Sequence, residues 1–126
     1  MHKILNNLAT CSVFESYTDE GWVIVDVRDL HDGGENSFEE ILKKLELVTN
    51  LMCSGYKVVV RCQAGISRSN TIACASMLVC RIYTNWNEAW THVQECCPRA
   101  RINMDLYDTI KKVLTKKMFI PKDWFN

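Results

Sequence analysis

Val58-Val59-Val60-Arg61-Cys62-Gln63-Ala64-Gly65-Ile66-Ser67-Arg68-Ser69 is the stretch that decides the fold. Its three valines, with Tyr56 and Lys57 before them, have the β-branched, apolar character of a buried strand. A short loop containing Gly65 follows. Beyond it, Ile72, Ala73, Cys74, Ala75, Met77, Leu78 and Val79 are apolar almost all round a helix. That pattern marks the central buried helix of a domain. The helix is predicted to start within Ser67-Arg68-Ser69 and to run to about Tyr83. A buried strand feeding a buried helix through a tight loop is an α/β joint.

The flanking sequence repeats the theme. Trp22 to Val27 reads as another buried strand, ending in the polar, glycine-containing loop from Arg28 to Asn36. Ser37 with Glu40 forms a capping box. Ile41, Leu42, Leu45, Val48, Leu51 and Met52 then recur at helical spacing until Ser54-Gly55. After the central helix, Asn85 or Asn87 caps a helix carrying Trp86, Trp90 and Val93, which Pro98 ends. A last helix covers about Met104 to Lys117. Lys3 to Ala9 is expected to add an edge strand. The order implies an α/β fold with a central, mostly parallel sheet flanked by helices. No repeat or linker divides the chain, so residues 1–126 are read as a single domain.

Bulk composition excludes several classes. The chain has 126 residues, is 48% apolar and 24% charged, and has a formal net charge of zero. Such a balance gives no support to a broad nucleic-acid or membrane-surface role. No apolar run approaches the ~20 residues that span a bilayer. The seven cysteines are odd in number and follow no signal-peptide pattern, so a reducing, cytoplasmic setting is expected. There is no Cys-x-x-Cys, and His2, His31 and His92 are scattered. No metal site is expected.

The loop carries the chemistry. Cys62 ends a strand, and Arg68 opens the helix. Successive backbone N–H groups of a tight loop can surround phosphate oxygens, and a helix N-terminus adds partial positive charge. Gly65 lets the loop bend and lets backbone approach a ligand. The planar fork of Arg68 can bridge two phosphate oxygens. The same field favours the thiolate of Cys62, the form that attacks phosphorus. Of the seven cysteines, only Cys62 combines this arginine spacing with a place between an apolar strand and an apolar helix.

Cys62-Gln63-Ala64-Gly65-Ile66-Ser67-Arg68-Ser69 resembles the signature loop of dual-specificity protein phosphatases, within the protein tyrosine phosphatase superfamily. Asp29 stands upstream at a strand end, where that family keeps its general acid. Pro98-Arg99-Ala100-Arg101-Ile102-Asn103 resembles the family's segment before its last helix. The likeness runs from Trp22 to about Leu114, and Met1 to Gly21 matches poorly. It implies a small phosphatase fold with four to five strands and no metal or other cofactor. It implies that Cys62 forms a phosphocysteine, that Asp29 acts as acid and then base, and that Ser69 hydrogen-bonds the departing thiolate. Arg68 and the loop residues Gln63, Ala64, Gly65, Ile66 and Ser67 would bind the phosphoryl oxygens. The implied partners are phosphorylated proteins, carrying phosphotyrosine or phosphoserine/threonine, at a shallow and permissive site. The alternatives are the same chemistry on RNA 5′-phosphates or another non-protein ester, and an inactive phosphoresidue-binding module. The loop has no lysine, which argues against inositol lipids as substrates.

Two points depart or stay open. The family usually has His before the cysteine, and Arg61 stands there. Asp32 is an alternative acid to Asp29, whereas Asp26 is read as structural or as a partner of Arg28. Elsewhere the plain readings are preferred. The Trp86, Trp90 and Val93 stripe is core, His31 is a loop residue, and His92 is on the surface. Lys111, Lys112, Lys116 and Lys117 are the polar face of the last helix. Arg99 and Arg101 either line the pocket mouth or are solvated. The tail Phe119 to Asn126 either folds back or meets a partner.

Overall fold

The computed structural model describes residues 1–15, 21–31 and 36–126. Its elements are β1 (His2–Leu5), β2 (Leu8–Ser12), β3 (Trp22–Asp26), α1 (Phe38–Cys53), β4 (Lys57–Cys62), α2 (Arg68–Val79), α3 (Trp86–Cys96) and α4 (Met104–Lys117), then a short 3-10 turn, Lys122–Phe125. The four strands lie in the order β1-β2-β4-β3. β2 and β3 both run parallel to β4, and β1 pairs antiparallel with β2. The sheet is therefore mostly parallel, as the α/β reading expected.

Two strand assignments need correction. Lys3 to Ala9 is not one edge strand. Asn6 and Asn7 turn the chain between the paired Leu5 and Leu8. The second arm, β2, is buried along its whole length beside β4. β3 was read as buried but lies at the sheet edge, and its Ile24 is 42% exposed. Apolar β-branched residues describe an edge strand as well as a central one, because neighbours and not composition decide burial.

Side-chain alternation sorts the sheet into two faces. Leu8, Val25, Val58, Val60 and Cys62 join one large core with buried residues from all four helices, including Ile41, Leu45, Ile72, Met77, Val93, Leu106 and Ile110. Ala9, Cys11 and Val59 form a small separate cluster on the other face with Met1 and Trp22. The four helices thus gather on one side of the sheet. α2 has ten buried residues and lies at the centre of this layer.

Caps at Ser37 and Asn85 are ones the sequence offers, and Asn103 adds a third. Ser37, Asn85 and Asn103 each accept a hydrogen bond from a backbone N–H three residues on. α2 ends at Val79, before the expected Tyr83, because Arg81 takes a left-handed φ of 61°. His92 is half-buried and not simply a surface residue. Its Nε2 lies 2.7 Å from the Ile4 carbonyl, and its ring lies 5.6 Å from that of Tyr83, so it ties α3 to β1.

The tail folds back. Phe125 is 8% exposed and stacks 6.0 Å from Trp86, with Tyr107 edge-on at 6.2 Å. Asn85 Nδ2 donates to the Asn126 carbonyl at 3.1 Å. Truncating Phe125 removes a buried ring from this cluster. Phe125→Ala should cost about 3 kcal/mol in urea unfolding. A loss below about 0.5 kcal/mol, the size of an ordinary surface substitution, would mean that the tail is not docked.

Candidate active site

β4 delivers Cys62 to the carboxyl edge of the sheet, and α2 begins at Arg68. Between them the loop is held by its carbonyls. Gln63 C=O accepts from Val13 N–H at 3.4 Å, and Ile66 C=O accepts from Arg101 N–H at 3.1 Å. Asn70 Nδ2 donates to the carbonyls of Gly65 at 3.2 Å and Ile66 at 3.0 Å. Ser67 C=O accepts from both Thr71 N–H and Thr71 Oγ1. With the carbonyls at positions 63 and 65–67 engaged by the protein body, the loop N–H groups can face a ligand. No side chain caps α2, and Ser67 Oγ is buried without a partner among the described residues. The first N–H groups of the helix are thereby left for an anion.

Gly65 has φ +69°. A Cβ there would lie 2.9 Å from Ser12 N and 3.1 Å from Cys11 C. The close approach is thus to the end of β2, not only to a ligand as the sequence suggested. β2 and the loop are pressed together at this point.

Cys62 is 2% exposed and Ser69 0%. Cys62 Sγ and Ser69 Oγ are 3.2 Å apart. A hydroxyl at this distance donates to a thiolate, which has no proton of its own to give. Arg68 is half-buried, and its Nη1 donates to the carbonyls of Arg28 and Leu30, both at 2.9 Å. Those residues flank Asp29, so the arginine of the loop also grips the segment holding the expected acid. The Asp29 carboxylate itself is 61% exposed and lies 3.2 Å from Lys44 Nζ. Lys44 also donates to the Asp26 carbonyl at 2.9 Å. Asp26, Arg28, Asp29, Lys44 and Gln63 line one hollow of about 620 Å³. Gln63 and Ala64 are exposed, and Ile66 and Ser67 half-buried. Asp32 lies outside the described residues.

Arg61 points to the opposite face. Its Nη2 lies 2.8 Å from Asp26 Oδ2, and Arg28 Nη2 meets the same oxygen at 2.8 Å. Partial burial alone would raise the Asp26 pKa. The hydrogen bonds from Arg28 and Arg61, and the charge of Arg28, outweigh it and hold the carboxyl well below the usual carboxylate range. Asp26 is therefore structural and partners Arg28, as read from the sequence.

The sequence reading passed over three positioning residues. Asn70 is fully buried, and its Oδ1 accepts from Thr10 Oγ1 at 2.8 Å. Asn36 closes the acid segment, accepting from His31 N–H at 2.6 Å and donating to His31 C=O at 2.9 Å. Lys44 is the third. The detectable signal was Asn70: a polar amide opening an otherwise apolar helix must find partners.

Comparison with known proteins agrees with this geometry. The chain matches the family described as dual specificity phosphatase, catalytic domain, over residues 2–115. It belongs to that family, and the match takes in the N-terminal segment that the sequence resemblance left out. It is 34% identical over 61 residues to the dual specificity protein phosphatase PPS1 of Saccharomyces cerevisiae. That alignment covers 48% of this chain and 8% of the yeast protein, so the chain spans under a tenth of that relative. A mouse protein assigned as a dual specificity phosphatase, complexed with zinc tungstate, superposes with a TM-score of 0.77 at 16% identity, covering 93% of this chain and 90% of the other. A leucine rich repeat and phosphatase domain containing protein from Entamoeba histolytica superposes at 0.72 with 12% identity, covering 91% and 90%. Both superpositions bear on the fold alone.

Gly65→Ala forces a left-handed residue against β2 backbone, so it should cost about 3 kcal/mol and reduce phosphate binding in parallel. Tm and phosphate affinity would both be measured, and unchanged values would refute the packing claim. Asp26→Asn should destabilise the protein by about 1 kcal/mol at pH 7. The folded-state pKa is depressed, so the wild-type advantage is complete above about pH 4 and shrinks as pH falls toward the lower folded value. Urea melts of both proteins across this range check the sign.

Proposed function

We propose that the chain is a cysteine-dependent protein phosphatase acting on phosphotyrosine and phosphoserine/threonine through a phosphocysteine intermediate. The observation that carries this reading is the loop whose carbonyls are engaged by the protein body around Cys62, with Ser69 Oγ 3.2 Å from its sulfur.

Substrate phosphate binds to the N–H groups of Gln63 to Arg68 and to the Arg68 guanidinium. The Cys62 thiolate attacks phosphorus, and the P–O bond to the leaving group breaks. Asp29 gives its proton to the departing oxygen. Water then attacks the phosphocysteine. Asp29 takes a proton from that water, and Cys62 leaves as thiolate accepting a hydrogen bond from Ser69. The chemistry uses no metal ion. The 620 Å³ hollow beside Gln63 and Asp29 offers charges of both signs to residues flanking the phosphate, which suits varied phosphoprotein substrates. The odd cysteine count supports a reducing cytoplasmic setting.

Hydrolysis of a panel tests this: phosphotyrosine and phosphoserine/threonine peptides, RNA 5′-phosphates and phosphoinositides. Wild type should hydrolyse the peptides, and Cys62→Ser should still bind them without turnover. Wild type that binds but turns over nothing would mark an inactive binding module. Asp29→Asn should slow phosphoserine peptides about 10²–10⁴-fold. It should slow p-nitrophenyl phosphate far less, because that leaving group departs without a proton. An equal loss on both substrates would remove Asp29 from the acid role and point to Asp32.

A further inference from the structure

The far end of α4 carries a feature that the phosphatase chemistry does not use. Phe119 adopts a left-handed φ of 59° and is 83% exposed. It stands just past the end of a helix, where glycine is favoured because a Cβ is strained there. Its neighbour Ile120 is buried and donates its N–H to the Leu114 carbonyl at 3.1 Å, so the turn itself is well made. Arg81 shares the same strain, but its guanidinium lies 5.2 Å over the Trp124 ring and donates to the Leu78 carbonyl. Among the described residues the Phe119 ring gains no comparable contact: its backbone is strained and the side chain is exposed.

Phe119 joins two lysine-bearing elements. Lys111, Lys112 and Lys116 from α4 and Lys122 from the following turn line a hollow of about 490 Å³, with Asp108 the sole carboxylate among its lining residues. Among the described residues, none of these lysines takes part in an ion pair. The helix dipole accounts for cations in the last turn, Lys116 and Lys117, but not for Lys112 or Lys122. The zero net charge of the chain conceals this local excess.

We propose that Phe119 with Lys112, Lys116 and Lys122 is a contact for an anionic lipid surface. Lysines bind headgroup phosphates and carboxylates, while the phenyl ring enters the boundary of the acyl region. A protein partner fits less well. Interface cores are depleted in lysine and built on an apolar cluster, and here a single exposed ring lies along the chain between the lysines of α4 and Lys122. A single exposed ring needs a medium that yields around it, as a bilayer does. This reading is independent of the substrate assignment.

Co-sedimentation of the full chain with vesicles tests it, using phosphatidylcholine with and without phosphatidylserine. Binding should require phosphatidylserine and weaken as salt rises. The triple variant Lys112→Gln/Lys116→Gln/Lys122→Gln should bind about a hundredfold more weakly. Phe119→Gly should bind about tenfold more weakly, yet have an equal or higher Tm because glycine relieves the strain. That pairing separates a lipid contact from a folding role. Two further arms distinguish sources of negative charge. Inorganic phosphate should displace the protein no better than chloride at equal ionic strength, and a poly-glutamate peptide should bind no less well to Phe119→Gly than to wild type. The proposal falls if vesicles fail to bind, if neutral vesicles bind equally, or if the variants bind like wild type. It falls equally if phosphate releases the protein specifically, or if the acidic peptide binds while vesicles do not.

Discussion

The carbonyl groups of the loop after β4 are the constraint on which the site depends. A chain bent this tightly has as many C=O groups as N–H groups, and either set could face the ligand. Asn70, Thr71, Val13 N–H and Arg101 N–H engage the carbonyls at positions 63 and 65–67. Each buried carbonyl left unbonded would cost on the order of 1–3 kcal/mol. Reversing the loop would break several such bonds together, so the amides keep the ligand side. Under the proposed function, anion binding would be built in before any ligand arrives, and such preorganisation is where electrostatic catalysis gains most. Asn70 holds a central place because Thr10 on β2 fixes its amide. The loop is therefore referenced to the sheet through β2 as well as through β4.

The second half of the site is referenced to the first. Val27 N–H donates to the Arg61 carbonyl at 2.8 Å, which carries the β3–β4 ladder one step beyond the paired Asp26 and Arg61. The chain leaves the sheet only there, level with Cys62. Arg68 then takes the carbonyls on both sides of Asp29, and Asn36 staples the far end of the segment at His31. Its bonds to Arg28 and Leu30 use Nη1, and under the proposed function the phosphoryl contact would fall to the rest of the guanidinium fork. Lys44 Nζ lies 3.2 Å from the Asp29 carboxylate, at the edge of the hollow shared with Gln63.

Much of this was legible in the sequence because it depends on local pattern. The valine run, the loop glycine and the apolar helix place β4, Cys62 and α2 without reference to the rest of the chain. Capping by Ser37 and Asn85 is local as well. What escaped depends on neighbours. β2 is only Leu-Ala-Thr-Cys-Ser, and nothing local distinguishes a buried central strand from a short edge piece. Ile24 looks as buried as Val25 until the strand order leaves its face uncovered. The bond of His92 to the Ile4 carbonyl spans most of the chain, and no spacing rule reports it. Asn70 was visible as a polar residue in an apolar helix, but its partners Thr10 and the loop carbonyls became apparent only when α2 was packed on β2.

Arg61 shows how a departure from a family pattern can be absorbed. A cation directly before the nucleophile would be expected to act on the thiolate. Alternation along β4 sends consecutive side chains to opposite faces, so Arg61 and Cys62 diverge although they are adjacent in sequence. The guanidinium meets Asp26, its register partner on β3, and Asp26 is also neutralised by Arg28. The Arg61–Asp26 pair thus lies between strands, on the face of β4 opposite Cys62. The pair joins β3 to β4 at the rung before the chain departs toward Asp29. The residue in the place of the usual histidine therefore bears on the site through strand register, which sets how far the acid segment stands from the nucleophile.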